Sequence, residues 1–201
     1  MLDKLREHKA TLIGMEDFRK YAVVIPLIAT PDGYEVLFEV RSEKIGRQPG
    51  DICFPGGKME AGEEPEQAAV RESAEELLIR PDQLELLGLM DVFLTEYGNL
   101  VYPYAAILRD YEGTYSEDEV AEVFTVPLKF FLETEPEEFF AKVGSEPEEN
   151  FPFDRIHGGR DYPWRKSRRA IYFYSYEGRE IWGMTARIMK AFVRILRNLD
   201  N

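Results

Sequence analysis

The spacing of apolar and polar positions divides the chain into strand-like and helix-like stretches. "YAVVIPLIAT" and "YEVLFEVR" are rich in strand formers, and Pro31-Asp32-Gly33 between them supplies turn residues, so the pair predicts a β-hairpin. In its second strand Val36, Phe38 and Val40 alternate with Glu35, Leu37 and Glu39, giving one apolar face and one mixed face. "DICFPGGKMEAGEEP" reads as a short strand and a glycine-rich loop. The pattern then turns helical from Pro65 to about Leu78, with Pro81 as the stop. "LELLGLMDVFLT" and "VYPYAAILRD" predict two further strands, and "FTVPLKFFLET" a strand running into a short helix. "ETEPEEFFAKVGSEPEEN" reads as an acidic, Pro-punctuated surface segment. "RAIYFYSYEG" alternates like a strand. From Met184 the apolar positions 184, 188, 191, 192, 195 and 199 follow helical spacing, with Arg187, Lys190, Arg194 and Arg197 on another face, an arrangement expected to pack on the domain's own sheet.

These elements predict an α/β chain, a mixed α+β sheet with helices on its faces, in one domain spanning 1–201. At 201 residues a second independent core would be cramped. An apolar fraction of 44% with 31% charged residues fits a chain that folds and has a well-solvated surface. A net charge of -13 disfavours nucleic acid as a partner, because phosphate-backbone affinity depends on Lys and Arg. With no apolar run of membrane-spanning length and a single cysteine, the chain is expected to work in the cytoplasm away from membranes. Cys53 is expected to be a small core residue.

The helix 65–78 carries the most pointed chemistry. At about 100° per residue, Glu72, Glu75 and Glu76 fall within an arc of roughly 100°, with Val70, Ala74 and Leu77 nearly opposite. Like charges at this spacing cost a few tenths of a kcal/mol each in an isolated helix, so something else is expected to compensate. A solvated acidic face is one reading. The other is a divalent cation site, since carboxylate oxygens at this spacing suit Mg²⁺ or Mn²⁺. Arg71, four residues before Glu75, is placed to steady a ligand carboxylate.

The same residues carry a family resemblance. Gly57, Glu63, Arg71, Glu72, Glu75, Glu76 and Ile79 fall in register with the Nudix box, with Ser73 where a bulky apolar residue is usual and Leu78 where the final glycine is usual. The resemblance implies a Nudix-type α/β/α sandwich. It also implies hydrolysis of a nucleoside diphosphate linked to another moiety, with Mg²⁺ or Mn²⁺ as cofactor. By position, Glu72 and Glu76 would be principal metal ligands, Glu75 a further one, and the Gly57 carbonyl a fourth contact. Glu63 would hold the loop or reach the metal through water. Glu72 is one candidate general base, and Glu119 and Glu122 in "YSEDEVAEVF" are others, with surface charge as the competing reading for both.

Upstream, Leu37, Phe38, Arg41, Ser42, Ile45, Gly50 and Phe54-Pro55-Gly56-Gly57 resemble the extended motif of coenzyme A diphosphatases, with Gly46 in place of the usual Arg and Gln48 in place of a frequent His. That resemblance implies a small-molecule substrate, coenzyme A or an acyl-CoA, cleaved to 3',5'-ADP and 4'-phosphopantetheine. ADP-ribose, NADH and dNTPs are alternative substrates, and a non-catalytic nucleotide sensor is another class. Arg41, Arg47 and Lys58 flank the box and are the candidates to meet the substrate's phosphates. A second basic group, Arg155, Arg160, Arg165, Lys166, Arg168 and Arg169, reads either as a solvated loop or as a contact to substrate phosphate or to a second subunit of a homodimer. His157 reads as a loop histidine, and Tyr162 and Trp164 either stack on adenine or pack in the core.

Overall fold

The computed structural model describes residues 6–9 and 12–199. The hairpin forms as the turn chemistry dictates: β1 (Arg19–Thr30) pairs antiparallel with β2 (Gly33–Arg41), and Thr30 faces Gly33 across the turn. β3 (Ile52–Cys53) pairs with β2, and β4 (Gly56–Lys58) pairs with β1, aligning Gly57 with Ala22. Helix α1 (Pro65–Leu77) follows, then β5 (Leu84–Leu89), β6 (Phe93–Leu94) and β7 (Asn99–Leu108). β7 lies parallel to β1 and the other pairings are antiparallel, so the sheet is mixed, in the order β3-β2-β1-β7-β5, with β8 (Val120–Pro127) also on β2.

Every residue of β1 from Ala22 to Leu27 is buried, which requires cover on both faces. Val23, Ile25 and Leu27 point into one core with Phe38, Phe54, Phe131 and Phe192, while Ala22 and Val24 point into another with Leu37, Ala69 and Leu77 of α1. Helix α1 therefore covers one face, and α2 (Leu128–Glu133) and α3 (Gly183–Leu199) cover the other, the layering expected of an α/β/α sandwich. Pro26, which cannot donate to a ladder, sits between the β4 pairing at 21–23 and the β2 pairing at 27–30, where no antiparallel partner needs its N–H.

Three local expectations change. The acidic segment contains a strand, β9 (Glu137–Gly144), because β10 (Lys166–Tyr176) offers it an edge. β10 pairs on its other side with β11 (Arg179–Trp182), making a second, three-stranded sheet. On α3 the buried stripe is Thr185, Ala186, Ile188, Met189, Phe192 and Val193, whereas Met184 and Leu199 are exposed. The helix rests on β10 and α2, and its cations also work there. Lys190 and Arg187 lie over the Tyr172 ring, and Arg194 pairs with Asp91.

Candidate active site

The strand β4 and the helix α1 bring the box residues together, and glycine makes their close approach feasible. A Cβ on Gly56 would lie 2.3 Å from the Ala22 carbonyl oxygen, so this position, at φ 136°, excludes any side chain against the β1 backbone. A Cβ on Gly57 would lie 2.1 Å from Glu72 Oε2. The missing methyl leaves room for the Glu72 carboxylate beside the strand.

The glutamates of α1 do not share one face. Glu76 is buried with Ala69, Ser73 and Leu77, and its Oε2 accepts the Gly56 N–H at 2.7 Å. Glu72 is partly buried at the edge of that face, and Glu75, with a side chain 62% exposed, points outward. Arg71 ties the arrangement together. Its Nε and Nη2 donate to the two Glu63 oxygens at 2.9 and 3.0 Å, its Nη1 donates to Glu72 Oε1 at 2.8 Å, and Glu75 stands 3.6 Å away. The guanidinium fork thus relieves the repulsion that the helix pattern creates. Glu63 also accepts the Glu60 N–H at 2.8 Å, so it holds the loop. The helix begins at a reciprocal cap between Glu64 and Gln67, with Pro65 at its first position. It ends on Leu78, which adopts the left-handed conformation (φ 52°) that glycine would take without strain.

A cavity of about 700 Å³ opens beside these residues, between the main sheet and the second sheet. Gly57, Glu72 and Glu76 line it, together with Arg41, Arg47 and Lys58, so six of the eight site residues singled out in the sequence meet there. The other two, Arg71 and Glu75, line a different surface groove. Of the other two candidate bases, Glu119 lines the cavity, whereas Glu122, on β8, is held by Arg179 through oxygens at 2.6 and 3.0 Å and its pKa is lowered by that hydrogen bond. Glu119 is carried on a turn fixed by the Ser116 N–H to the Glu76 carbonyl and the Ser42 N–H to the Glu119 carbonyl.

Groups that the sequence pattern left unmarked lie behind the cavity and on its walls. Glu39, on the mixed face of β2 next to Leu37, is buried against α1, where the Cys53 thiol donates to its Oε1 at 3.4 Å and its Oε2 has no partner. Burial holds the carboxyls of both Glu39 and Glu76 above the ordinary range, and the neighbouring Glu39 raises Glu76 further. Burial first, and the neighbouring Glu39 second, push the Cys53 thiol up, keeping it a neutral donor. Cys53 is partly exposed on the cavity wall rather than in the core, since β3 is an edge strand. The second basic group sends one member, Arg169, to the cavity; Arg168 lies over Phe140 and Arg160 over Phe153. Trp164 meets Tyr162 and Phe151 edge to face away from the cavity, and Trp182 of β11 is the indole on its wall.

The donors suit a hard divalent cation: carboxylate oxygens from Glu72 and Glu76, with Glu119 across the opening and a glycine that leaves space beside Glu72. Among the described residues, no group of three or more His, Cys, Asp or Glu side chains is already gathered as a cation site. Glu72 is engaged with Arg71 and Glu76 with the Gly56 N–H.

The NUDIX domain model matches residues 18–145. The mouse peroxisomal coenzyme A diphosphatase NUDT7 is 36% identical over 125 residues, 61% of this chain and 52% of that protein. The Caenorhabditis elegans peroxisomal coenzyme A diphosphatase ndx-8 is 40% identical over 110 residues, 51% and 47% of the respective chains. The chain thus spans about half the length of these curated relatives. Among solved structures, a MutT/nudix family protein from Enterococcus faecalis superimposes with a TM-score of 0.49 at 17% identity, covering 98% of this chain and 68% of that one. With the family's domain model spanning more than half the chain and Gly57, Glu72 and Glu76 of its box lining one cavity, the chain belongs to the Nudix family.

Proposed function

We propose that this chain hydrolyses a nucleoside diphosphate linked to another moiety, and that the substrate is coenzyme A or an acyl-CoA, released as 3',5'-ADP and 4'-phosphopantetheine or its acyl form. The observation that carries the reading is the shared cavity of the acidic group Glu72, Glu76 and Glu119 with the cationic group Arg41, Arg47 and Lys58. The names of the two peroxisomal relatives support the choice of substrate.

Glu72 and Glu76 would hold Mg²⁺ or Mn²⁺, with Gly57 beside them, while Glu75, on the neighbouring groove, acts only through Arg71. A divalent cation bound there would neutralise diphosphate oxygens and acidify the attacking water. Arg41, Arg47 and Lys58 bind and orient the anionic bridge. Glu119 takes the proton of the attacking water as the new P–O bond forms and the bridging P–O bond breaks, the leaving phosphate departing with that electron pair. Glu72 is less free for this role because Arg71 already holds its Oε1. The Arg71–Glu63 fork keeps the helix carboxylates in place through the cycle.

Product analysis with Mg²⁺ or Mn²⁺ across coenzyme A, acetyl-CoA, ADP-ribose, NADH and dNTPs tests the reading. Coenzyme A or its acyl form is expected to be cleaved fastest. A higher kcat/KM for ADP-ribose or a dNTP would replace the substrate, and no hydrolysis of any of them would favour a nucleotide sensor.

A further inference from the structure

The wall of the cavity opposite α1 comes from β10 and β11, which follow the segment matched by the family model. On that wall Arg169 forms an ion pair with Glu96, lies over the Tyr97 ring at 5.7 Å, and keeps a buried Nε with no acceptor. Glu96 and Tyr97 belong to the turn between β6 and β7, which the Asn99 N–H to Thr95 hydroxyl bond and the Arg19 N–H to Gly98 carbonyl bond fix to the sheet. β4 neighbours β1 and β1 neighbours β7, so Lys58 and Val101 align with the same residue, Tyr21. Val101 therefore lies about two strand spacings, roughly 10 Å, from Lys58, and the turn at Glu96 lies further along the hairpin, where Arg169 and Lys58 line the same cavity.

We infer that Arg169 is the subsite for a second phosphate of the substrate, a phosphomonoester carried on the sugar away from the diphosphate, and that Glu96 is its counterion until that phosphate arrives. This rests on the function proposed above and names what selects its substrate. Three features favour a phosphate dianion. Arginine presents a planar fork matched to phosphate oxygens, one of its N–H groups is unused, and a lone carboxylate on a turn neutralises it. Arg169 lines the same cavity as Lys58 but on the wall made by β10, so it is placed to meet a phosphate on a part of the substrate other than the diphosphate. The other arginines of the basic segment that have assigned partners, Arg160 and Arg168, are spent on Phe153 and Phe140.

The test compares kcat/KM for coenzyme A and 3'-dephospho-coenzyme A in wild type, Arg169→Gln and Arg169→Lys, together with equilibrium binding of 3',5'-ADP and 5'-AMP to each. Wild type should prefer the 3'-phosphorylated member of each pair. Arg169→Gln should shrink that preference roughly 10- to 100-fold, the change expected on losing a charge-assisted hydrogen bond, with the effect in KM, and Arg169→Lys should restore part of it. Equal losses on both substrates, or unchanged preferences, would overturn the assignment. Wild type that cleaves neither coenzyme A species defeats the proposed function, and the binding of the two nucleotides then decides the Arg169 subsite alone.

Discussion

Glu39 of β2 and Glu76 of α1 are two carboxyl groups buried together where the helix meets the sheet, 1% and 6% exposed. One receives the Cys53 thiol and the other the Gly56 amide, and these neutral donors are too few to support two full charges. Desolvation raises both pKa values, and the charge of Glu39 raises that of Glu76 further. The folded, metal-free chain therefore holds protons that the unfolded chain releases above the ordinary value of 4.5. The resulting stability is complete below that value and is lost as pH rises through the raised folded pKa values. Chemical denaturation in chelator, from about pH 5 to about pH 9, should show unfolding free energy falling with pH, and Glu39→Gln should flatten that slope.

The carboxylates of the cavity should separate by function. Glu72→Gln and Glu76→Gln are each expected to lower kcat by two or more orders of magnitude and to weaken Mn²⁺ binding, and Glu119→Gln to lower kcat by about 100-fold with Mn²⁺ affinity retained. Glu122→Gln, on a residue held by Arg179 outside the cavity, should change kcat less than about 3-fold. Steady-state kinetics and metal titration read all four.

Arg71→Lys keeps the charge and loses the fork that joins Glu63 to Glu72. Metal affinity should fall about 10- to 100-fold, the range found when groups that orient ligands are removed. Circular dichroism should show the helix intact, because α1 is anchored by Ala68, Ala69 and Leu77 in the core.

Leu78 closes α1 in the left-handed region with a side chain that is 60% exposed, so it contributes strain and little burial. Leu78→Gly should stabilise the chain by about 1 kcal/mol and raise Tm by roughly 2–4 °C, readable by calorimetry. A lower Tm would show that the leucine packs more productively than its exposure indicates.

Much of the site could be read from spacing alone. Gly57, Arg71, Glu72 and Glu76 meet as their register implies, because one helix and one adjoining strand carry them and local geometry fixes both. The separation of Glu75 was not legible. Helical angles place it within about 100° of Glu76 but do not say which part of that arc meets the sheet. Glu39 was hidden for a related reason. An alternating strand with one mixed face looks half-solvated, and only the docking of α1 over Leu37 makes that face an interior one. The period-3.6 reading of α3 placed the stripe too far toward Met184 and Leu199, since Ala186, Thr185 and Met189 are buried by contact with β10, β11 and α2 rather than selected by hydropathy.

What the amino-acid sequence determined by itself is the local chemistry. The turn at Pro31-Asp32 follows from backbone preferences, the helix start at Pro65 from its cap, and the acidic box from the order of Gly57, Glu63, Arg71, Glu72 and Glu76. What only the tertiary structure decided is which distant groups share the cavity. Glu119 rather than Glu122 enters it, Arg169 rather than its five basic neighbours reaches it, and Trp182 rather than Trp164 lines it. Those choices depend on β10 pairing with β9 and β11 and on the turn at Glu96 meeting it. Such contacts join residues tens of positions apart, and no local propensity encodes them, because they are fixed by the burial of two sheet faces at once.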